Sequence, residues 1–231
     1  MQCNIRRIGS ILLTLKKLHL SPTAKVFTMA GMSWDERYAG EEFAYGTEPN
    51  TFLKESLESL KLPDRAKCLM LADGEGRNGV FMAQAGHKVT SLDNSKVGLE
   101  KAEKLAKEKS VELDTLVGDL ADCDLGTGQW DCIVGIFCHL PPPIRERVLT
   151  AIPTALRSGG CVLFECYTPD QIAYKTGGPQ VPEMMYSSEI FNKAFDGKLM
   201  IEKNEELVRD VVEGKYHTGK GAVVQFIARK M

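Results

Sequence analysis

Three glycines and an acid form the stretch of this sequence with the clearest chemical meaning. The short apolar run 68–72 is followed by Gly74, Gly76 and Gly79, which spell G-x-G-x-x-G. Glycine lets the backbone turn sharply and lets a ligand approach main-chain atoms with no Cβ in the way. Asp93 follows Gly74 by 19 residues, about the distance expected for a carboxylate that accepts hydrogen bonds from a ribose.

The secondary structure predicted around these glycines helps to decide whether their spacing indicates a ligand-binding turn. Residues 68–72 are predicted to be a buried strand, 80–84 a helix that ends at Gly86, and 88–92 a second strand with the acid at its end. A glycine turn can also serve only to pack a helix on a strand. The strand, turn, helix, strand, acid order favours a βαβ unit that binds a nucleotide or nucleoside.

Further strands are predicted at 113–117, 130–137 and 161–167, with helices at 96–109 and 144–156. This alternation indicates a parallel sheet with helices on both faces, and ligands of such sheets bind at the carboxyl ends of the strands. Five polar residues follow five successive predicted strands and are expected at that edge: Asp73, Asp93, Asp119, His139 and Tyr167.

The C-terminal part departs from this alternation. Residues 168–186 are expected to be irregular, 187–194 to be a short helix, and 199–211 and 222–228 to be two strands of a hairpin. The last strand is therefore predicted to be antiparallel. The predicted fold class is α/β, a Rossmann-like, doubly wound, seven-stranded sheet that is mostly parallel.

Charge is unevenly distributed over the 231 residues. The formal net charge is −2, yet residues 1–34 contain five basic residues and no acid, so the remaining residues carry −7, five below the total. An acidic body is a poor general partner for nucleic acid, because phosphate binding needs a basic surface. We expect a small-molecule partner and no nucleic acid, and the sequence gives no indication of oligomeric state.

Residues 1–31 are predicted to be a basic extension ahead of a domain over residues 32–231. The extension is acid-free and amphipathic, which is typical of an organelle-targeting segment. An upstream extension before a start at Met29 or Met32 and a surface helix stay open as alternatives. The expected localisation is mitochondrial or cytoplasmic, and the absence of 18 consecutive apolar residues predicts no membrane span.

The seven cysteines are odd in number and include no C-x-x-C pair. This pattern suits small core residues in a reducing compartment and no disulfide framework. No zinc-ligand spacing occurs, and no metal site is expected.

Two cofactors fit a glycine turn with a ribose-binding acid, namely a nicotinamide dinucleotide and S-adenosylmethionine. Asp119 after the third strand suits an adenine amino group, which needs an acceptor, and the terminal hairpin fits a seven-stranded methyltransferase sheet. Tyr216 and Lys220 spell Y-x-x-x-K, but Gly219 lies between them in a strand connection. A reductase pair needs that spacing on a helix, so these features favour S-adenosylmethionine.

The sequence resembles the class I S-adenosylmethionine-dependent methyltransferases, in particular the tellurite-resistance and thiol methyltransferase-like group. The resemblance covers residues 33–230 and is carried by SWDERY, YGTEPNTFL, LADGEGRNGVF, VTSLDNS, GLEKA, IFCHLP, YTP and YHTGKGAVVQ. It departs from the common pattern at the glycine turn, where Asp73 adjoins the first glycine and the third glycine falls one place later. The resemblance implies methyl transfer to a small acceptor.

The resemblance also implies positions for the cofactor and the acceptor. Asp73, Gly74 and Gly76 are expected at the methionine end, and Asp93 is expected on the ribose. The remaining implied contacts are Asn94, Asp119 and Leu120 around the adenine, and Phe137 and His139 near the sulfonium.

His139 and Tyr167 are the predicted catalytic residues, the first as a base and the second to orient the acceptor. Each has a plainer explanation as a packing residue at a strand end. Tyr45 and His217 are further candidates, and Arg77 is either a binder of an anionic acceptor or a surface residue. A thiolate or a reduced chalcogen oxyanion would need little help from a base, whereas a hydroxyl or amine would need more.

Two other functions stay open on the sequence alone. One is a non-catalytic relative that binds the cofactor and acts as a partner protein. The other, less favoured, is an NAD(P)-dependent oxidoreductase.

Overall fold

The computed structural model describes residues 32–231, and the predicted N-terminal extension lies outside them. The strands of the described part are β1 (Lys67–Leu71), β2 (Lys88–Asp93), β3 (Asp114–Val117), β4 (Trp130–Ile136), β5 (Leu156–Tyr167), β6 (Met200–Glu213) and β7 (His217–Arg229). They form one sheet in the order β3-β2-β1-β4-β5-β7-β6. Strands β1 to β5 are parallel, and β7 is antiparallel to both β5 and β6. The predicted fold class is confirmed.

Helices cover both faces of this sheet. They are α1 (Trp34–Tyr38), α2 (Thr51–Ser56), α3 (Arg77–Gln84), α4 (Lys96–Glu108), α5 (Pro142–Ala155), α6 (Gln171–Tyr174) and α7 (Ser188–Phe195), with a 3₁₀ turn at Pro182–Met184. Side chains along each strand alternate between two cores. Leu69 and Leu71 belong to the core that contains α5 and α7, whereas Cys68 and Met70 belong to the core on the side of α2 and α3.

Several element boundaries differ from the sequence prediction. Helix α3 begins three residues early, at Arg77, because Gly76 has φ +82° and ends the turn as a left-handed N-cap. Helix α5 begins at Pro142, since proline needs no hydrogen-bonded N–H in a first turn. Residues 157–160, which lie between a predicted helix and a predicted strand, belong to β5, where Gly159 and Gly160 pair with Lys230.

The six cysteines of the described residues are all buried, as expected for small core residues. Cys68, Cys132 and Cys161 share one register across β1, β4 and β5. No helix among residues 32–231 is long and apolar enough to cross a membrane.

A buried polar network crosses the layer between α3 and the C-terminal hairpin. The Glu165 carboxylate of β5 accepts hydrogen bonds from Arg209, Gln225 and Asn50, and none of its side chain is exposed. Glu213 at the end of β6 accepts from the same Arg209 and Asn50. Buried carboxylates of this kind stay stable only when every lone pair has a donor.

This network predicts a large stability loss for Glu165→Gln. The amide nitrogen of glutamine would face donors, and the buried Arg209 guanidinium would lose half of its charge partners. We expect the free energy of unfolding to fall by about 3 kcal/mol. The measurement is urea unfolding beside Glu112→Gln, an exposed glutamate outside the network. A loss no larger than that of the control would show that the network contributes no net stability.

Candidate functional site

The main cleft opens where the direction of strand addition reverses. Strands β2 and β3 lie on one side of β1, and β4 and β5 lie on the other. The loops that follow β1 and β4 therefore run in opposite directions and leave a cleft between them. Ala72 and Phe137, which follow these two strands, both have φ +50° and line the cleft. A positive φ is uncommon outside glycine and is often found at functional sites. The cavity has a volume of about 750 Å³, enough for a nucleoside and a small second molecule.

Asp93 is positioned as a ribose-binding carboxylate would be. It ends β2, and its two oxygens each accept one backbone N–H at 2.8 Å, from Gly74 and from Ser95. Each oxygen keeps lone pairs for a ligand in the cavity that Asp93 lines. Burial raises the pKa of Asp93 to about 6, the two N–H groups lower it, and the Asp73 charge raises it. The side chain is therefore a fixed acceptor above pH 6.

Asp73 holds the turn together. Its carboxylate accepts from the Ser91 hydroxyl at 2.6 Å and from the Gly79 N–H at 3.3 Å. Burial raises its pKa, against the lowering effect of both hydrogen bonds. A Cβ on Gly79 would lie 2.4 Å from this carboxylate, so the third glycine makes room for Asp73. Asp73 also lines the cavity, and its contact with the methionine end of a cofactor stays a prediction.

Gly74 and Gly76 do not line the cavity, contrary to the expected contact with the methionine end. Both have a positive φ, and both are covered by neighbouring side chains. A Cβ on Gly74 would lie 2.5 Å from the Tyr38 hydroxyl, and one on Gly76 would lie 2.4 Å from the Ala102 Cβ. Their contribution is the shape of the turn and the close packing of α1 and α4 against it.

The predicted adenine end is brought together by the loops after β2 and β3. Asn94, Asp119 and Leu120 all line the cavity. One oxygen of Asp119 accepts the Ala121 N–H at 2.8 Å, which fixes the carboxylate and leaves its second oxygen for an amino group. The positions agree with the predicted contacts, and the roles stay predictions.

Residues 33–50 lie over the glycine turn. Helix α1 is closed by a capping box between Ser33 and Glu36, and Asp35 accepts hydrogen bonds from Ser95 and Val97 at the start of α4. Trp34 and Arg37 line the cavity beside Tyr38.

A second attachment follows further along this segment. Glu75 of the glycine turn accepts the Ala44 N–H and forms an ion pair with Lys101, whose Nζ also donates to the carbonyls of Gly40 and Glu42. The segment of residues 33–50 therefore has two functions in the fold: Trp34 and Arg37 line the cavity, and residues 40–44 anchor the segment to the glycine turn and α4.

Aromatic rings form the end of the cavity opposite the adenine site. Phe137 is 4.7 Å from His217, centroid to centroid, and Tyr45 is also 4.7 Å from His217. Tyr216 lies 5.9 Å from Tyr45. The His217 Nδ1 is buried and has no hydrogen-bond partner within residues 32–231. Burial lowers the pKa of His217 well below its ordinary value, and nearby cations, first Arg77, lower it further, so the ring is neutral.

His139 lines the cavity, but both of its ring nitrogens are used within the fold. Nδ1 is 3.2 Å from the Met184 carbonyl, and Nε2 accepts the Tyr167 N–H at 3.3 Å. The accepting Nε2 places the proton on Nδ1, and burial lowers the pKa of His139 to about 4. A base needs a free lone pair, and this geometry gives His139 a structural role that ties β5 to the loop before α7.

Tyr167 is fully buried and does not line the cavity. It stacks on Phe137 with 4.4 Å between the ring centroids. Phe137 lines the cavity, and Tyr167 supports that ring from within the fold.

Arg77 is a buried residue, and the surface alternative is wrong. It is 7% exposed and pairs with Glu213, which lies 136 residues later in the chain. Its charge is therefore already neutralised. Among residues 32–231, no group of three or more histidine, cysteine or acidic side chains forms a metal site.

Sequence reasoning gave no role to three parts of this site. They are Arg37, the Glu75–Lys101 pair, and the loop of residues 175–181 that faces the hairpin. The aromatic and charged composition of SWDERY was the available signal for Arg37. The partners of Glu75 and of the loop lie far along the chain, so no local pattern indicated them.

Comparison with known proteins relates this chain to methyltransferases. A family model described as a methyltransferase domain matches residues 68–160. A search of curated proteins found no match.

Solved structures give matches over most of the chain. A chain from work on the conversion of a disulfide bond into a thioacetal group during echinomycin biosynthesis is 17% identical with a TM-score of 0.69, over 85% of this chain and 90% of that one. TehB from Haemophilus influenzae is 16% identical with a TM-score of 0.62, over 77% and 62%. An S-adenosylmethionine-dependent methyltransferase from Clostridium acetobutylicum is 13% identical with a TM-score of 0.58, over 78% and 89%.

These likenesses agree with the observed strand order and with the antiparallel position of β7. The chain therefore has the class I methyltransferase fold, and its residues 68–160 are similar in sequence to methyltransferase domains.

Proposed function

We propose that this protein transfers a methyl group from S-adenosylmethionine to a small-molecule acceptor. The observation that carries the proposal is the Asp93 carboxylate, held by two N–H groups and facing a cavity at the strand reversal. The methyltransferase match over residues 68–160 supports S-adenosylmethionine as the ligand. Neither the partner-protein alternative nor the oxidoreductase alternative gains support from these comparisons. We further propose the predicted mitochondrial or cytoplasmic localisation.

The cavity suits this cofactor in charge and in shape. The carboxylates of Asp73, Asp93 and Asp119 lie along the ends of β1 to β3, where a cationic cofactor with a ribose and an adenine would lie. The sulfonium would then face Phe137 and the aromatic end. Since the leaving group is already a sulfonium, alignment of donor and acceptor is the main task of the protein.

A thiol is the acceptor class that we propose to test first, with a reduced chalcogen oxyanion second. One structural neighbour comes from work on a disulfide-to-thioacetal conversion, which is sulfur chemistry. The thiol sulfur would attack the methyl carbon, the bond from that carbon to the sulfonium would break, and S-adenosylhomocysteine would leave. We propose that the neutral Nδ1 of His217, which has no hydrogen-bond partner among residues 32–231, accepts the thiol proton as the carbon–sulfur bond forms. Because its pKa is lowered, the protonated ring releases that proton to solvent at once.

The primary test is calorimetric titration with S-adenosylmethionine, S-adenosylhomocysteine and NADH. We expect micromolar binding of the first two and none of NADH. Asp93→Ala should weaken binding at least about 100-fold, because two ribose hydroxyls lose a charged acceptor. Glu112→Ala is the control. Binding of NADH alone would contradict the proposal, and transfer of labelled methyl to a thiol would exclude the partner-protein alternative.

The raised pKa of Asp93 predicts a pH dependence of cofactor binding. The carboxylate loses its charge as the pH falls through about 6, so the affinity for S-adenosylmethionine should be constant from pH 7 to 8. It should fall about tenfold per pH unit well below 6. Asp93→Asn should bind weakly and without this dependence. An unchanged affinity from pH 8 to 5 in the unaltered protein would contradict the role of Asp93.

The two histidines should respond differently to substitution. His217→Ala should lower the rate of thiol methylation about 100-fold, and the loss of a ring that contacts Tyr45 and Phe137 should also lower the thermal stability. His139→Ala should cost about 2 kcal/mol of stability, because the Tyr167 N–H and the Met184 carbonyl lose their partner. The measurements are S-adenosylhomocysteine formation and thermal unfolding. Equal rates for His217→Ala and the unaltered protein would show that no base is used.

A further inference from the structure

We propose that the methyl acceptor is a small molecule with a flat apolar body and an anionic head group, and that the Arg37 guanidinium binds that head group. This inference rests on the proposed methyltransferase function. It assigns a ligand-binding role to a residue of helix α1.

Charge is segregated along the cavity. The acids Asp73, Asp93 and Asp119 line the ends of β1, β2 and β3, and the basic residues Arg37, Lys175 and Lys215 line the aromatic end. The remaining charged pairs in the wall are internal: Glu75 pairs with Lys101, and Arg77 pairs with Glu213.

None of the basic residues at the aromatic end forms a salt bridge with any residue of the described part of the chain. Because the chain after residue 34 carries a net charge of −7, this positive end stands out from its surroundings. Three unpaired cations beside a cavity attract an anion.

Arg37 is the cation that is held in place. Its guanidinium carbon lies 4.3 Å from the centroid of the Tyr216 ring. The capping box of α1 and the Asp35 bonds to α4 fix the helix that carries it. Its Nε is buried without a hydrogen-bond partner among residues 32–231. Buried donors are nearly always satisfied, so an acceptor from a bound molecule completes this geometry.

The guanidinium fork matches a carboxylate in particular. Its parallel N–H groups form two hydrogen bonds with the two oxygens of one acid group. The stacked contact with Tyr216 leaves the edge of the fork available, because the ring covers a face.

The walls beside Arg37 define the body of the acceptor. Tyr45, Phe137, Tyr216 and His217 place four rings around this end of the cavity, with neighbouring centroids 4.7 to 5.9 Å apart. Rings at these distances contact one another and form a continuous apolar wall, against which a planar apolar group can stack or make an edge contact. The unpartnered Nδ1 of His217 lies in the same wall, beside the expected sulfonium position.

The test compares two compounds of the same shape and different charge. The full chain is saturated with S-adenosylhomocysteine under reducing conditions and titrated with para-mercaptobenzoate and with para-mercaptobenzamide. We expect the acid to bind at least about tenfold more tightly than the amide. Arg37→Met should remove this preference, with the loss confined to the acid, and Arg37→Lys should keep part of it. Arg65→Met, which alters an exposed arginine, is the matched control.

Each other outcome has a separate meaning. Equal affinity for acid and amide, a preference that survives in Arg37→Met, or no binding of either compound overturns this inference. If inorganic phosphate binds as tightly as the acid, the flat apolar body contributes nothing to recognition, and that part of the inference is wrong. In these cases binding of S-adenosylhomocysteine leaves the proposed function standing, whereas its failure to bind overturns both.

Discussion

A buried ion pair joins the two sides of the cleft, and the geometry of the site depends on it. Arg77 is the first residue of α3, directly after the glycine turn, and its partner Glu213 is the last residue of β6. Glu213 is also bound by Arg209 and Asn50, which brings β5 and the segment before α2 into the same network. The four residues that follow Glu213 carry Tyr216 and His217 to the aromatic end. The distance between the glycine turn and the aromatic end of the cavity is therefore fixed by buried charges, which salt screens only weakly.

The network also explains why some residues were predicted well and others were not. The βαβ unit was predictable because its signals are local: an apolar strand, glycines with positive φ, a helix and an acid within 26 residues of sequence, from residue 68 to 93. The end of β2 at Asp93 and the hairpin followed from the same kind of local pattern. The burial of Arg77 did not, since its partner lies 136 residues away and no periodicity links the two.

The two histidines also show that local sequence patterns do not predict contacts between distant residues. Both were recognised as candidates by position, yet their chemistry is decided by contacts with distant backbone. His139 is saturated by Met184, 45 residues later, and by the Tyr167 N–H, whereas the Nδ1 of His217 is left free. A strand end predicts where a side chain lies. Only the packing of the loops around it determines whether its lone pair is available.

The aromatic end is built almost wholly from outside the region that resembles methyltransferase domains. Arg37, Tyr45 and Tyr216 precede or follow residues 68–160, and their side chains make no hydrogen bond within residues 32–231. A substitution at these positions removes ring contacts but breaks no hydrogen bond of their side chains among residues 32–231. The wall of the cavity therefore has two parts: the acidic part lies within the segment that resembles methyltransferase domains, and the aromatic part lies mostly outside it. Under the proposed function, substitutions in the aromatic part would alter the choice of acceptor and leave the residues around the cofactor unchanged.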